Sequence, residues 1–240
     1  MAKSKAMEPR REAVKGRAAS LSKTGLSTAG SPRTGTPMTS ASKTGAREKL
    51  LDAAMRVIRE RGYGASTVDD ICGAAGVTKG AFFHHFPSKE DLAIAAAAHF
   101  GAMADGFFAT APYRDLPIAA DRVLGYVAFR KAILRGELAE FTCLLGTLVQ
   151  ETYDSHPAIR AACDQHMSGH VAMITADIAL AMRENRIKAD WTPESLAYHI
   201  QSVLQGSFIY AKVKQGTKIA EDCLDHLTAY LVTLFKTKET

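Results

Sequence analysis

Residues 67–92 read TVDDICGAAGVTKGAFFHHFPSKEDL, and almost every position in this stretch either bounds a helix or sits between two boundaries. Thr67-Val68-Asp69-Asp70 fits a capping box, in which the Thr67 hydroxyl and the Asp70 carboxylate satisfy free amide donors at a helix start. The helix it opens is short: Val68, Ile71 and Cys72 face inward, and Gly76 stands where a left-handed residue ends it. Val77 plugs the following turn, and Thr78 caps a third helix that reaches His85. Pro87 halts that helix, because the residue before a proline is pushed out of helical geometry, and Ser88-Lys89-Glu90-Asp91 opens a fourth with a second capping box. Upstream, Leu50, Leu51, Ala54, Val57 and Ile58 form one stripe on a helix from Arg47 to Arg61, which Gly62 ends.

Two short helices joined by a tight glycine-containing turn and braced by a longer one make a helix-turn-helix, here over about residues 67–86. The second of them carries what a major-groove reader needs: a hydroxyl at its start, Lys79 in its first turn, a small Gly80-Ala81 face and the imidazoles of His84 and His85. Phe82 is its buried residue, with Phe86 closing the end. The amino end of a helix favours phosphate, and Lys89 at the next helix start adds a basic contact. Residues 47–92 hold seven basic and seven acidic side chains, so affinity for a polyanion must come from placed contacts and not from a positive field.

The net charge of +5 over 240 residues has another origin. Residues 1–45 carry nine basic and two acidic groups and no aromatic residue; they cannot bury enough apolar surface to offset their ordering entropy and read as a disordered basic tail. The tail holds no apolar core of a secretory signal and no apolar face of a transit peptide. With 47% hydrophobic and 23% charged residues the chain reads as soluble, and its longest apolar stretch, Leu92 to Ala104, is broken by His99 and falls short of a bilayer span, so no membrane partner is expected. Cys72, Cys143, Cys163 and Cys223 form no CxxC pair, which fits a reducing cytoplasm and neither a disulfide framework nor a zinc ribbon. No GxGxxG, GxxxxGK[ST] or GxSxG occurs, so no catalytic residue and no cofactor is assigned, and the chain does not read as an enzyme.

Beyond Asp91 there is no strand-like alternation, and helices are expected at roughly 90–109, 118–135, 138–153, 158–185, 193–214 and 219–236, which makes the chain all-α. Leu196, Ile200, Val203, Leu204, Ser207, Phe208 and Ala211 form one late stripe; Leu224, Leu227, Leu231 and Leu234 form another. Such stripes serve as internal core or as an interface. A reader with one short recognition helix needs a partner to reach half-sites about 34–36 Å apart, and that favours a homodimer.

The run from Ser66 to Leu92 resembles the DNA-binding domain of the TetR family of bacterial transcriptional regulators, and the match extends without a gap from Arg47 to Leu92. The resemblance implies that Thr67, Thr78, Lys79, Gly80, Phe83, His84, His85 and Lys89 face double-stranded operator DNA. Two departures stand out. Phe83 occupies a place where the family usually has Tyr, so a phosphate-contacting hydroxyl is missing, and His84 replaces a common Tyr or Arg, which shifts operator preference. After the tail 1–45, the resemblance further implies a DNA-binding domain 46–92 and a helical domain 93–240 that binds a small-molecule effector between its middle helices and dimerises through its last two.

Met103, Phe107, Tyr126, Cys143, His166 and His170 are the candidate ligand residues, a mix of apolar surface and a few polar groups. Cys163, His166 and His170 recur at i, i+3 and i+7, a spacing open to a metal site or to a polar pocket rim. The function expected is a ligand-responsive repressor released from its operator by a small-molecule inducer. The alternatives are an activator of the same fold, or a metal-binding sensor or enzyme built on Cys163, His166 and His170.

Overall fold

The computed structural model describes residues 45–235, so all but the last residue of the basic tail lies outside the described residues. Among the described residues every regular element is helical. The order is α1 (Ala46–Arg61), α2 (Val68–Ala75), α3 (Lys79–His85), α4 (Lys89–Ala109), α5 (Ala119–Ala132), α6 (Leu138–Phe141), α7 (Leu144–Thr152), α8 (Pro157–Glu184), α9 (Pro193–Lys214) and α10 (Lys218–Phe235), with a 3-10 turn at Pro112–Asp115 between α4 and α5.

The caps read from the sequence close these helices. Thr67 Oγ1 accepts from the Asp70 amide at 3.1 Å while Asp70 Oδ2 accepts from the Thr67 amide at 2.9 Å. Thr78 and Ser88 accept in the same way from Ala81 and Asp91. Thr192, followed by Pro193 in the first turn, starts α9 and accepts from the Ser195 amide at 3.1 Å.

One expected helix is two. The span 138–153 divides at Thr142-Cys143, where the chain turns extended and Cys143 becomes a new N-cap whose Sγ accepts from the Gly146 amide at 3.4 Å. Thr142 is buried and its hydroxyl donates back to the Leu138 carbonyl at 2.7 Å, which ends α6 after one turn. The expectation that no segment reaches bilayer length also needs amending. α4 continues past Ala104 to Ala109, and its 21 residues include an 18-residue window of mean hydropathy 1.4, enough by length and composition to cross a bilayer; in this fold it packs on α1 and α8.

Two apolar cores organise the chain. The first joins α1, α2 and α3 to the start of α4 through Leu50, Ile58, Ile71, Phe82 and Leu92, and continues into Leu144 and Leu148 of α7 and Ile159 and Cys163 of α8. The helix-turn-helix is therefore sealed to later helices, and α4 runs out of this core toward the second one. The second core is built by α5, α8, α9 and α10 around Tyr126, Ile178, Ile200, Leu204 and Leu224. Both late stripes seen in the sequence are spent here: Leu196, Ile200, Leu204, Phe208, Leu224, Leu227 and Leu231 are all buried within the chain, so they are internal core and not an interface. At the edge of this core Asp177 accepts from Arg114 at 2.6 Å and from Arg122 at 2.8 Å, which ties α8 to α5 and to the 3-10 turn.

Candidate DNA interface and ligand cavity

The α3 helix has two faces because its apolar residues are unequal in reach. Phe82 points into the first core and is fully buried, whereas its neighbour Phe83 is 52% exposed with its ring edge-on to Phe82 at 5.1 Å. Thr78, Lys79, Gly80, Phe83 and His84 are all exposed, as is Thr67 at the start of α2, and His85 is half-buried. Gly80 meets only the Thr78 hydroxyl, at 3.8 Å from where a Cβ would stand, so the backbone there is open to close approach. His84 and His85 lie edge-to-face at 4.9 Å. Lys79 Nζ sits 3.0 Å from Asp69 of α2 in an exposed pair, which an incoming phosphate would compete with. Bonding from Thr67, then the nearby Arg61, holds the Asp70 carboxyl below its usual range, so the capping box stays charged.

Lys89 is placed differently from the rest. Its ammonium donates to the carbonyls of Tyr63 and Ser66, both at 3.0 Å, and lies 4.2 Å from the centre of the Tyr63 ring. Its charge thus braces the α1–α2 loop against the start of α4.

A cavity of about 1180 Å³ opens between α1 and α4 to α9, larger than most small-molecule pockets. Met103, Phe107, Cys143, His166 and His170 are in its wall. Tyr126 is not: it is 2% exposed behind the wall, where Gln201 Nε2 donates to its hydroxyl at 2.7 Å and His170 Nε2 lies at 2.9 Å. The buried hydroxyl and His170 Nε2 therefore share one hydrogen bond, whose direction follows the imidazole tautomer. Burial, then the nearby Arg130 charge, pushes His170 down to about 4, so the imidazole is neutral. His166 packs over Gly101 of α4, where a Cβ would run into the imidazole; the glycine is what lets α4 and α8 approach there.

Cys163, His166 and His170 do not converge. Residues seven apart on a straight helix are separated by about 10 Å along its axis, and α8 is unbroken from Pro157 to Glu184. Cys163 is buried in the first core, which pushes its thiol up to about 12, while His170 faces Phe108 and Tyr126. Among the described residues no group of three His, Cys, Asp or Glu side chains is placed to hold a metal ion.

Sequence reasoning missed Arg59, Arg130, Phe208 and Gln201, all in the cavity wall. Arg130 did leave a signal. It falls on the buried α5 stripe Val123, Tyr126 and Val127, one turn further on, where an apolar residue would be expected. Arg59 and Met55, by contrast, belong to α1, and only the packing of α1 on α6 and α7 brings them to the cavity.

Comparison with known proteins bears on both parts of the chain. Residues 50–96 match the family model for bacterial regulatory proteins of the tetR family, and residues 119–227 match that for the tetracyclin repressor-like C-terminal domain. The HTH-type transcriptional repressor KstR2 of Rhodococcus jostii (strain RHA1) is 48% identical over 52 residues, which cover 22% of this chain and 26% of that protein. The HTH-type transcriptional repressor DhaR of Mycobacterium sp. (strain GP1) is 27% identical over 182 residues, covering 73% and 86%. The chain spans about a quarter of the length of the first curated relatives it matches. Among solved structures, the reduced form of Escherichia coli NemR superposes with a TM-score of 0.67 at 21% identity, covering 82% of this chain and all of that one. The regulatory protein TetR from Rhodobacter sphaeroides gives 0.68 at 23% identity, covering 77% and 97%. With the helix-turn-helix model and the C-terminal model matched in order along one all-helical chain, the protein belongs to the TetR family of bacterial regulatory proteins.

Proposed function

We propose that this chain is a dimeric transcriptional regulator that binds operator DNA through residues 46–92 and releases it when a small-molecule effector enters the cavity between its middle helices. The observation that carries this reading is the composition of the cavity wall. Met55 and Arg59 come from α1, and Phe100, Gly101, Met103, Ala104, Phe107 and Phe108 come from α4, so both long helices bracing the helix-turn-helix line the cavity. An occupant that prefers one placement of α1 and α4 shifts the spacing of two recognition helices, with leverage limited to its differential affinity for the two states.

On this reading Thr67, Thr78, Lys79, Gly80, Phe83, His84 and His85 are the DNA-facing groups, with Lys89 acting through the loop it braces. Dimerisation is supported by apolar surface left uncovered after the internal stripes are used: Tyr198, Ile209, Tyr210 and Val213 on α9 and Tyr230 on α10 are all exposed. Fluorescence anisotropy with DNA from the gene's own promoter tests the proposal. Saturable binding with half-site symmetry, lost on adding an effector, is expected; absence of sequence preference defeats it. A reporter under that promoter, compared with and without the gene, separates repression from activation.

A further inference from the structure

The arginines near the cavity are not equivalent. Arg114 and Arg122 share Asp177, so this chain pairs guanidiniums with a carboxylate where the charge has a structural task. Of the cavity arginines, Arg59 donates to the carbonyls of Met55, Glu140 and Thr142, and Arg160 donates to that of Tyr153. Arg130 has no such partner: among the described residues no carboxylate lies within 4.0 Å of its guanidinium, and it donates to no oxygen. Phe108 and Phe208 lie within cation–π range, at 5.2 and 5.6 Å, and they orient the group without satisfying its N–H edges.

Its surroundings sharpen the case. The acidic residues of the wall, Asp105, Glu140 and Asp164, are exposed at the rim, and two are already engaged: Glu140 accepts from the Glu137 amide and Asp164 from Ser168. Arg130 is half-buried beside the neutral imidazole of His170. The rest of the wall mixes apolar surface, with Phe107, Phe141 and Phe208 prominent, with neutral polar groups such as Thr142, Gln201 and Gln205. A half-buried guanidinium whose N–H edges meet no protein acceptor among the described residues and face the cavity is set to take an anion there.

We propose that the cavity takes an amphipathic organic carboxylate, with its head group paired to Arg130 and its apolar body laid against the phenylalanines of α4, α6 and α9. A guanidinium meets a carboxylate through two parallel N–H···O bonds, a match that an alcohol or an amine cannot make. The volume favours a body of many carbons over a short acid. This inference rests on the cavity being the effector site, but its test needs no DNA, so it fails or stands apart from operator release.

The experiment uses two fluorescent probes with closely related aromatic bodies, anionic 1-anilinonaphthalene-8-sulfonate and uncharged N-phenyl-1-naphthylamine, titrated into the full chain. Myristate should displace the anionic probe from wild-type protein, and tetradecan-1-ol and tetradecylamine should not. Arg130→Met should raise the Kd of the anionic probe at least about tenfold and leave that of the neutral probe within about twofold. If both probes weaken together, Arg130→Lys decides: retained preference for the anion supports the site, and loss of that preference overturns it. An unchanged Kd for the anionic probe in Arg130→Met overturns it too, as does wild-type protein that binds neither myristate nor the anionic probe.

Discussion

Glu151, near the end of α7, accepts a hydrogen bond from the backbone amide of Gly64 at 2.8 Å, and its other carboxylate oxygen accepts from the Tyr63 amide at 3.1 Å. A side chain 87 residues further on thus satisfies the loop between α1 and α2. With Arg59 donating from α1 to the carbonyls of Glu140 and Thr142, it makes a two-sided clasp between the helix-turn-helix and the α6–α7 segment.

Glu151→Ala should lower stability by about 1–2 kcal/mol, because two loop amides lose a charged acceptor at a partly solvated site. Amide hydrogen exchange is the sharper measurement. Tyr63 and Gly64 should exchange faster in the variant while amides in α9 and α10 keep their protection.

Gly62 stands under the same carboxylate. Its φ is +89°, and a Cβ there would run into Glu151. Gly62→Ala is therefore expected to cost about 1–3 kcal/mol through backbone strain together with the displaced carboxylate. Chemical denaturation reads this directly, and a midpoint equal to that of wild type would falsify the assigned clasp.

Lys79→Ala should weaken operator binding by about 1–3 kcal/mol if Lys79 reads a base, and should lower the salt slope by about one if it contacts phosphate. Anisotropy titrations across a salt series separate the two outcomes. Part of the attraction is already used against Asp69, so Asp69→Asn should strengthen binding.

His170 sets a pH dependence of stability. Its pKa is about 4 in the fold against 6.5 for the ordinary group, so between these values the unfolded chain binds a proton that the folded chain refuses. Stability should fall as pH drops from about 6.5 to about 4, by about 2–3 kcal/mol at the end of that window. The contribution is flat outside it. Thermal melts at pH 7 and 4.5 should differ less for His170→Gln than for wild type.

Asp177→Ala leaves Arg114 and Arg122 facing each other without their shared anion, and should cost about 3–5 kcal/mol. Asp177→Asn keeps the shape and loses the charge. A melt of that variant close to wild type would show that the hydrogen bonds matter more than the ion pairs.

The cavity shows where local reading stops. Met103, Phe107, His166 and His170 could be placed on middle helices from periodicity, yet Tyr126, chosen by the same rule, stands behind the wall with its hydroxyl spent on His170 and Gln201. Nothing in a helical period tells the lining of a cavity from the layer behind it, because both are apolar at the same spacing. Lys89 is a similar case: a lysine at a helix start beside a DNA reader reads as a basic contact to phosphate until the Tyr63 and Ser66 carbonyls are seen converging on it.

By itself the sequence determined the helix-turn-helix and the all-helical class, because capping boxes, terminating glycines and prolines act within four residues and are written locally. It also carries a charge, Arg130, on the apolar stripe of α5, a signal that periodicity alone did not single out. The tertiary structure alone decided that the late stripes are internal core, that α1 reaches the cavity, and that Arg130 meets no acceptor among the described residues. Each of these depends on which faces meet across long separations in the chain, and a pairing of faces leaves no mark on the spacing of residues within either one.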